Sequence, residues 1–200
     1  MNTVVSDTPI GRYIKVYDDI LTKEECEHII SEYKNSSEWT NGRLGDDSLD
    51  CPIHSFRNCD VIGMSIKEII DVKYETRKKI DDLIFNNAGR AVHRYIEDFP
   101  DNNFVHFINS DSGYDLLRYN EGGFYKQHVD NGKRTKLRAL SMSFNLNDDY
   151  VGGEFAFFNR EIKIRTKPGS VILFPSNFMY PHEIMPVIKG TRYSVITWFN

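Results

Sequence analysis

The sequence predicts a mostly β protein with helices at its N-terminal end: an α+β fold built on a sandwich or double-sheet jelly roll, flanked by helices. Three observations predict it. The apolar period changes from helical to two at about residue 104. From there on, short candidate strands alternate with turns rich in Gly, Asn, Asp and Pro. Aromatic residues make up 13% of the chain, with 13 Phe and 11 Tyr, and such residues suit pleated, half-buried surfaces. One domain over 1–200 is expected, with 1–100 as a helical support region and 104–200 as the jelly-roll core.

Taken in order, residues 12–20 (RYIKVYDDI) alternate and predict a strand. Thr22 and Glu25 then form a capping box, N-cap and N3. Cys26, Ile29, Ile30 and Tyr33 follow at helical spacing and give one apolar face. Residues 40–52 (TNGRLGDDSLDCP) are nearly free of apolar side chains and predict a loop. SFRNCDVI, 55–62, predicts a strand. Between 66 and 98 the apolar residues recur at steps of three and four, from Ile66 to Ile96, and Pro100 closes the run. Asn86-Asn87-Ala88-Gly89 predicts a break inside it. Candidate strands then fall at 104–108, 114–119, 124–130, 137–147, 154–158, 160–166, 170–175, 182–188 and 191–199. Because the helices precede the strands, they are expected on one outer face of the sheets.

Composition narrows the class. The chain of 200 residues is 40% hydrophobic and 27% charged, the balance of a globular protein with a real core. A net charge of −4 speaks against general electrostatic binding of nucleic acid. No apolar run reaches the length of a membrane span, so no membrane partner is expected. The first residues show no basic stretch followed by an apolar one, so no secretory signal is read. Three cysteines, at 26, 51 and 59, lack CxxC spacing and read as free thiols. A cytoplasmic location is the expectation.

The chemistry starts at FYKQHVDNG, residues 124–132. On a strand, residues two apart share a face, so His128 and Asp130 can reach one ion. A third donor follows at His182, with strands between. A jelly roll makes neighbours of strands distant in sequence. Two imidazoles and one carboxylate on one side of an ion leave the other side open, the facial triad of non-haem Fe(II) oxygenases. Arg192, in the otherwise apolar run TRYSVITWF, adds a guanidinium fork that matches a carboxylate. It reads as the anchor of an anionic co-substrate. Zinc hydrolysis is a rival reading of the same donors, although no HExxH glutamate accompanies them. A non-catalytic jelly-roll module that keeps a metal site is another.

With these residues in view, the chain resembles the prolyl-4-hydroxylase-type branch of the Fe(II)/2-oxoglutarate-dependent dioxygenases. Tyr119 to Asp130 is similar to that branch's YxxGxxYxxHxD run. Gly152-Gly153-Glu154 resembles its GGE turn. Pro168-Gly169, Phe174-Pro175-Ser176, His182 and Gly190-Thr191-Arg192-Tyr193 resemble its closing motifs. The resemblance implies a double-stranded β-helix (jelly roll) flanked by helices, with Fe(II) on His128, Asp130 and His182, and 2-oxoglutarate on the metal and on Arg192. It implies a co-substrate contact for Tyr119, a substrate contact for Tyr125 and a pocket wall at Trp198. Asn145 stands before Leu146-Asn147, where many members carry a Tyr that supports the far carboxylate of 2-oxoglutarate; it is shorter but can donate a hydrogen bond, so it is expected to bind the co-substrate in that place.

The implied reaction consumes O2 and 2-oxoglutarate, releases succinate and CO2, and hydroxylates an unactivated C–H bond. Ascorbate is an accompanying reductant in this reading. A prolyl residue of a peptide or protein is the implied substrate. Another amino-acid side chain, a small molecule or a nucleic acid is the alternative for the same chemistry. The basic residues Lys126, Lys133, Arg134, Lys136 and Arg138 near the HxD end favour an acidic partner. The loop 40–52 resembles a lid over bound substrate.

Overall fold

The computed structural model describes residues 3–4, 8–42, 53–65, 74–100, 108, 110–132 and 138–200. Strand β1 (Thr3–Val4) and a 3-10 turn (Gly11–Tyr13) lead into β2 (Lys15–Tyr17). The strand expected over 12–20 is shorter because Asp19 turns the backbone at φ 60°. The amides of Ile20 and Leu21 then both donate to the Gly169 carbonyl, each at 3.0 Å. Gly169 itself has φ +81°, and a Cβ there would stand 2.0 Å from the Leu21 carbonyl oxygen. Only glycine allows this meeting of the two halves of the chain.

Helix α1 (Lys23–Tyr33) starts on the expected capping box: Glu25 N donates to Thr22 Oγ1 at 3.2 Å, and Thr22 N donates to Glu25 Oε2 at 2.7 Å. Next come β3 (Thr40–Asn41), the one-turn helix α2 (Ile53–Phe56), β4 (Arg57–Asn58) and β5 (Asp60–Gly63). The single strand expected over 55–62 is thus divided. The reason is topological: β4 pairs with one sheet and β5 with the other, so the segment crosses between them.

Helix α3 (Tyr74–Glu97) runs through Asn86–Gly89 without the expected break. The Asn87 side chain donates to Leu83 O at 2.9 Å and accepts from Arg90 Nη1 at 2.8 Å, so it turns inward on its own helix. Burial of Ile80, Ile84, Ala88, Ala91 and Tyr95 along one face outweighs the local breaker signal. A large aliphatic side chain contributes roughly 1.5–3 kcal/mol when fully buried. Among the described residues no helix is long and apolar enough to cross a membrane. The expectations for 43–52, 66–73, 104–107 and 133–137 lie outside the described residues.

The remaining strands are β6 (Asp115–Tyr119), β7 (Phe124–His128), β8 (Leu140–Asn145), β9 (Val151–Gly152), β10 (Phe155–Phe157), β11 (Ile162–Ile164), β12 (Val171–Pro175), β13 (His182–Ile184), β14 (Val187–Lys189) and β15 (Arg192–Phe199). They form a larger sheet in the order β1-β2-β12-β8-β15-β6-β5-β3 and a smaller one in the order β11-β10-β13-β7-β4. Strands β14 and β9 make a separate pair. Pairing is antiparallel throughout the described residues. The interleaved strand order is that of a jelly roll.

Alternation sorts the larger sheet into two faces. Leu140, Met142 and Phe144 of β8, Val171 and Leu173 of β12, and Val195 and Phe199 of β15 pack with α1 and α3 in one apolar cluster. This is the outer face expected for the helices. Ile172 and Phe174 of β12 point the other way, toward Phe155 and Phe157 of the smaller sheet. On that inner face β8 offers Ser141, Ser143 and Asn145, and β15 offers Arg192, Ser194, Ile196 and Trp198. An inner face this polar marks where the two sheets hold a cavity instead of a core.

Candidate metal centre

His128 and His182 stand directly opposite one another on the paired strands β7 and β13. Ile184 is opposite Tyr125, so two residues of β7, Lys126 and Gln127, face the single Glu183. That is a β-bulge, and it reverses the alternation just before His128. As a result Tyr125 and His128, three apart, share a face, their rings stacked at 3.6 Å and 17°. The two imidazoles lie with centroids 4.3 Å apart.

The sequence predicts Asp130 on the same strand as His128, brought to one face by simple alternation. The strand ends at His128, and Asp130 comes from the turn beyond it. There the Ser141 hydroxyl donates to Asp130 Oδ2 at 2.7 Å and lies 2.7 Å from Ser176 Oγ. Asp130 Oδ1 is 3.5 Å from His128 Nε2, and Oδ2 is 3.6 Å from His182 Nε2. Neighbouring ligands about 2.1 Å from an ion stand roughly 3 Å apart, so a small closure completes a coordination face. One donor atom from each of the three residues fits within a mutual distance of 4.8 Å.

The tautomers suit this role. His128 Nδ1 lies 2.8 Å from the Lys126 carbonyl and His182 Nδ1 lies 3.0 Å from the Tyr180 carbonyl. A carbonyl only accepts, so each Nδ1 carries a proton, and each Nε2 is the ring nitrogen that faces Asp130. Burial pushes the Asp130 carboxyl up, but His182, His128 and the Ser141 hydroxyl outweigh it and hold the group below the usual carboxylate range. Burial pushes His182 down to about 4, with Asp130 opposing and His128 adding to the fall. Near neutral pH the set is therefore a carboxylate with a neutral His182 beside it, the donor chemistry a divalent cation requires.

The triad opens into a cavity of about 450 Å³ between the sheets. Arg192 lines it, 3% exposed, its Nη1 donating to Ser194 Oγ at 2.9 Å. Among the described residues it pairs with no carboxylate. Tyr119, directly opposite Arg192 in register, lies with its ring centroid 5.5 Å from the guanidinium carbon. Tyr125 and Trp198 also line the cavity. Asn145 is the predicted site residue that the structure turns away. Its amide donates to Asn147 O at 2.7 Å and Thr166 O at 3.0 Å, while its oxygen accepts from Tyr150 at 3.3 Å. Both amide hydrogens are engaged with backbone, and the side chain is too short to do that and reach the cavity.

Two cavity arginines carry no flag in the sequence as site residues of their own. Arg138 lies flat over Trp198, its guanidinium carbon 3.5 Å from the ring centroid, and donates to Asp130 O at 3.3 Å. Arg57 comes from β4, 4.6 Å over the Tyr125 ring, with Nε 3.0 Å from Cys59 Sγ. Spacing also gives no sign of Ser141 and Ser176 as supports of Asp130, although Ser176 belongs to the FPS run.

Comparison with known proteins agrees with this geometry. Residues 114–200 match the family model described as the 2OG-Fe(II) oxygenase superfamily. A PKHD-type hydroxylase of Synechococcus sp. (strain CC9311) is 27% identical, the match covering 90% of this chain and 75% of that one. Prolyl 3-hydroxylase 2 of Rattus norvegicus is 37% identical, covering 92% of this chain and 29% of that one. Other PKHD-type hydroxylases are matched over about two fifths of their own length. The structure is similar to that of a prolyl hydroxylase from Trichoplax adhaerens, solved in complex with a hypoxia inducible factor oxygen degradation domain peptide fragment. That likeness has a TM-score of 0.69 at 19% identity and covers 94% of this chain and 83% of the other.

Proposed function

From the match of residues 114–200 to the family model of the 2OG-Fe(II) oxygenase superfamily, we propose that this protein is an Fe(II)- and 2-oxoglutarate-dependent dioxygenase that hydroxylates a prolyl residue of a peptide or protein. The observation that carries the reading is the convergence of His128 Nε2, Asp130 and His182 Nε2 at one end of a cavity that also holds the buried Arg192. An open-sided histidine–carboxylate set alone fits several metals. A buried guanidinium in the same cavity that pairs with no carboxylate among the described residues calls for an anionic small molecule as well.

In this reading His128, Asp130 and His182 hold Fe(II), which when bound supplies activation of O2 for attack on an unreactive C–H bond. The chain's own residues do the rest. Arg192 takes the far carboxylate of 2-oxoglutarate, and Ser194 fixes the plane of its fork. The Nδ1 bonds to Lys126 O and Tyr180 O hold both imidazoles aimed with Nε2 toward Asp130. Ser141 keeps Asp130 from rotating away. Phe155, Phe174 and Ile184 line the cavity and exclude water from the reacting groups. Tyr125 and Trp198 offer flat walls that suit a pyrrolidine ring. Prolyl substrates are the chemistry named for several relatives.

The test is succinate release from 2-oxoglutarate with Fe(II) under air. It is followed by mass spectrometry of proline-containing peptides for the gain of one oxygen atom. Succinate without peptide oxidation in any proline context would retain the chemistry and discard the prolyl substrate. No succinate from iron-loaded protein would discard both.

A further inference from the structure

Two backbone irregularities meet behind the histidines. One is the bulge at Lys126–Gln127 in β7, immediately before His128. The other is the turn between β10 and β11, where Phe158, Asn159 and Arg160 all have positive φ, at 54°, 53° and 71°. A bulge re-aims the side chains beside it. Successive left-handed residues other than glycine persist only where their surroundings over-determine them. Here each irregularity supports the other. Asn159 N donates to Gln127 Oε1 at 2.9 Å. Arg160 forks Glu183, Nε to Oε1 at 2.6 Å and Nη2 to Oε2 at 3.1 Å. Phe158 N donates to Pro181 O at 3.1 Å. Gln127 and Glu183 are the chain neighbours of His128 and His182, so one turn grips both ligand-bearing strands.

We propose that the turn Phe158–Arg160, with Gln127 and Glu183, is a positioning clamp that holds the bulge and sets the two imidazoles for metal binding. The inference rests on the reading of His128, Asp130 and His182 as metal ligands. The Lys126 carbonyl, inside the bulge, lies 2.8 Å from His128 Nδ1, and Nε2 faces Asp130. Relaxed to regular pairing, β7 would shift by one residue, and a one-residue shift sends a side chain to the opposite face. Glu183, 8% exposed, keeps its side of the fork shielded from water.

Gln127 and Arg160 are exposed, so Gln127→Ala and Arg160→Ala are made separately and together. Co(II) is titrated into each apoprotein and followed by its visible absorption, with the apoprotein melting temperature measured alongside. The double variant is expected to bind Co(II) roughly tenfold or more weakly, the size typical of lost outer-shell support, with an altered absorption band. The exchange Arg160→Glu with Glu183→Arg is expected to recover affinity over either single change. Wild-type affinity and an unaltered band in the double variant would overturn the clamp, whatever happens to the melting temperature. Should the double variant not fold, Glu183→Gln, which keeps the shape and removes the charge, decides in the same way. A wild-type chain that takes up no Co(II) would refute the metal reading itself, a separate outcome from equal binding by wild type and variant.

Discussion

Ser141 places one hydroxyl between Asp130 Oδ2 and Ser176 Oγ, 2.7 Å from each. Through it the larger sheet steadies a carboxylate that comes from a turn, so Ser141→Ala frees the ligand to rotate. Metal affinity is expected to fall by roughly 10- to 100-fold, measured by competition with a chelator. Unchanged affinity would make Ser141 a bystander. Arg192→Ala tests the other end of the cavity. Removing one partner of a buried charge pair costs on the order of 3–5 kcal/mol, equivalent to roughly a hundredfold or more in binding. The 2-oxoglutarate requirement should rise by that order, with Co(II) uptake retained. Wild-type titration with 2-oxoglutarate would show that Arg192 is not the anchor. Asn145 behaves differently. Arg192 has donors left to offer the cavity, whereas both Asn145 amide hydrogens already meet backbone carbonyls.

Individual elements carry predictions of their own. Thr22 and Glu25 close both bonds of a capping box at the start of α1. Thr22→Ala should destabilise the protein by about 1 kcal/mol, read as a shift in the urea midpoint with unchanged slope. No shift would mean α1 is held by its apolar face alone. Gly169 is a harsher case. An alanine there would combine a left-handed φ with a Cβ 2.0 Å from the Leu21 carbonyl oxygen. Gly169→Ala should cost at least about 2 kcal/mol, because backbone, and not a mobile side-chain tip, must move. Retention of wild-type stability would show that the 18–21 segment can part from the 168–169 turn freely. Helix α3 shows the opposite balance: Gly89 sits mid-helix where a Cβ would meet nothing within 4 Å, and packing elsewhere on the helix tolerates it.

For the whole molecule, the site joins the two sheets. His128 and His182 belong to the smaller sheet, Arg192 and Ser141 to the larger. A metal ion and a co-substrate bridging them should therefore stabilise the fold as a unit. Ligand at a hundred times its dissociation constant adds about 2.7 kcal/mol. For a chain of this size, that corresponds to a rise of roughly 5–10 °C in melting temperature. Co(II) with 2-oxoglutarate under nitrogen should produce this shift in the wild-type protein, and EDTA should reverse it. A melting temperature indifferent to both would count against a site that spans the sheets.

Local pattern was enough to read the change of period near residue 104 and the capping box of α1, and to nominate His128, Asp130, His182 and Arg192 as site candidates. All of these are short-range signals: spacing along the chain, and residue type against neighbours. The single strand expected over 182–188, by contrast, is divided into β13 and β14. What tertiary structure decided is how those residues meet. Asp130 reaches the triad from a turn held by Ser141, not by strand alternation. A bulge at Lys126–Gln127 resets which side chains share the face of His128. Asn145 is drawn off by Thr166, 21 residues away, and α3 continues through its breaker residues because a sheet covers its apolar side. Spacing can nominate donors. Their aim depends on pairing register and on partners remote in sequence, and those are set only when the two sheets pack.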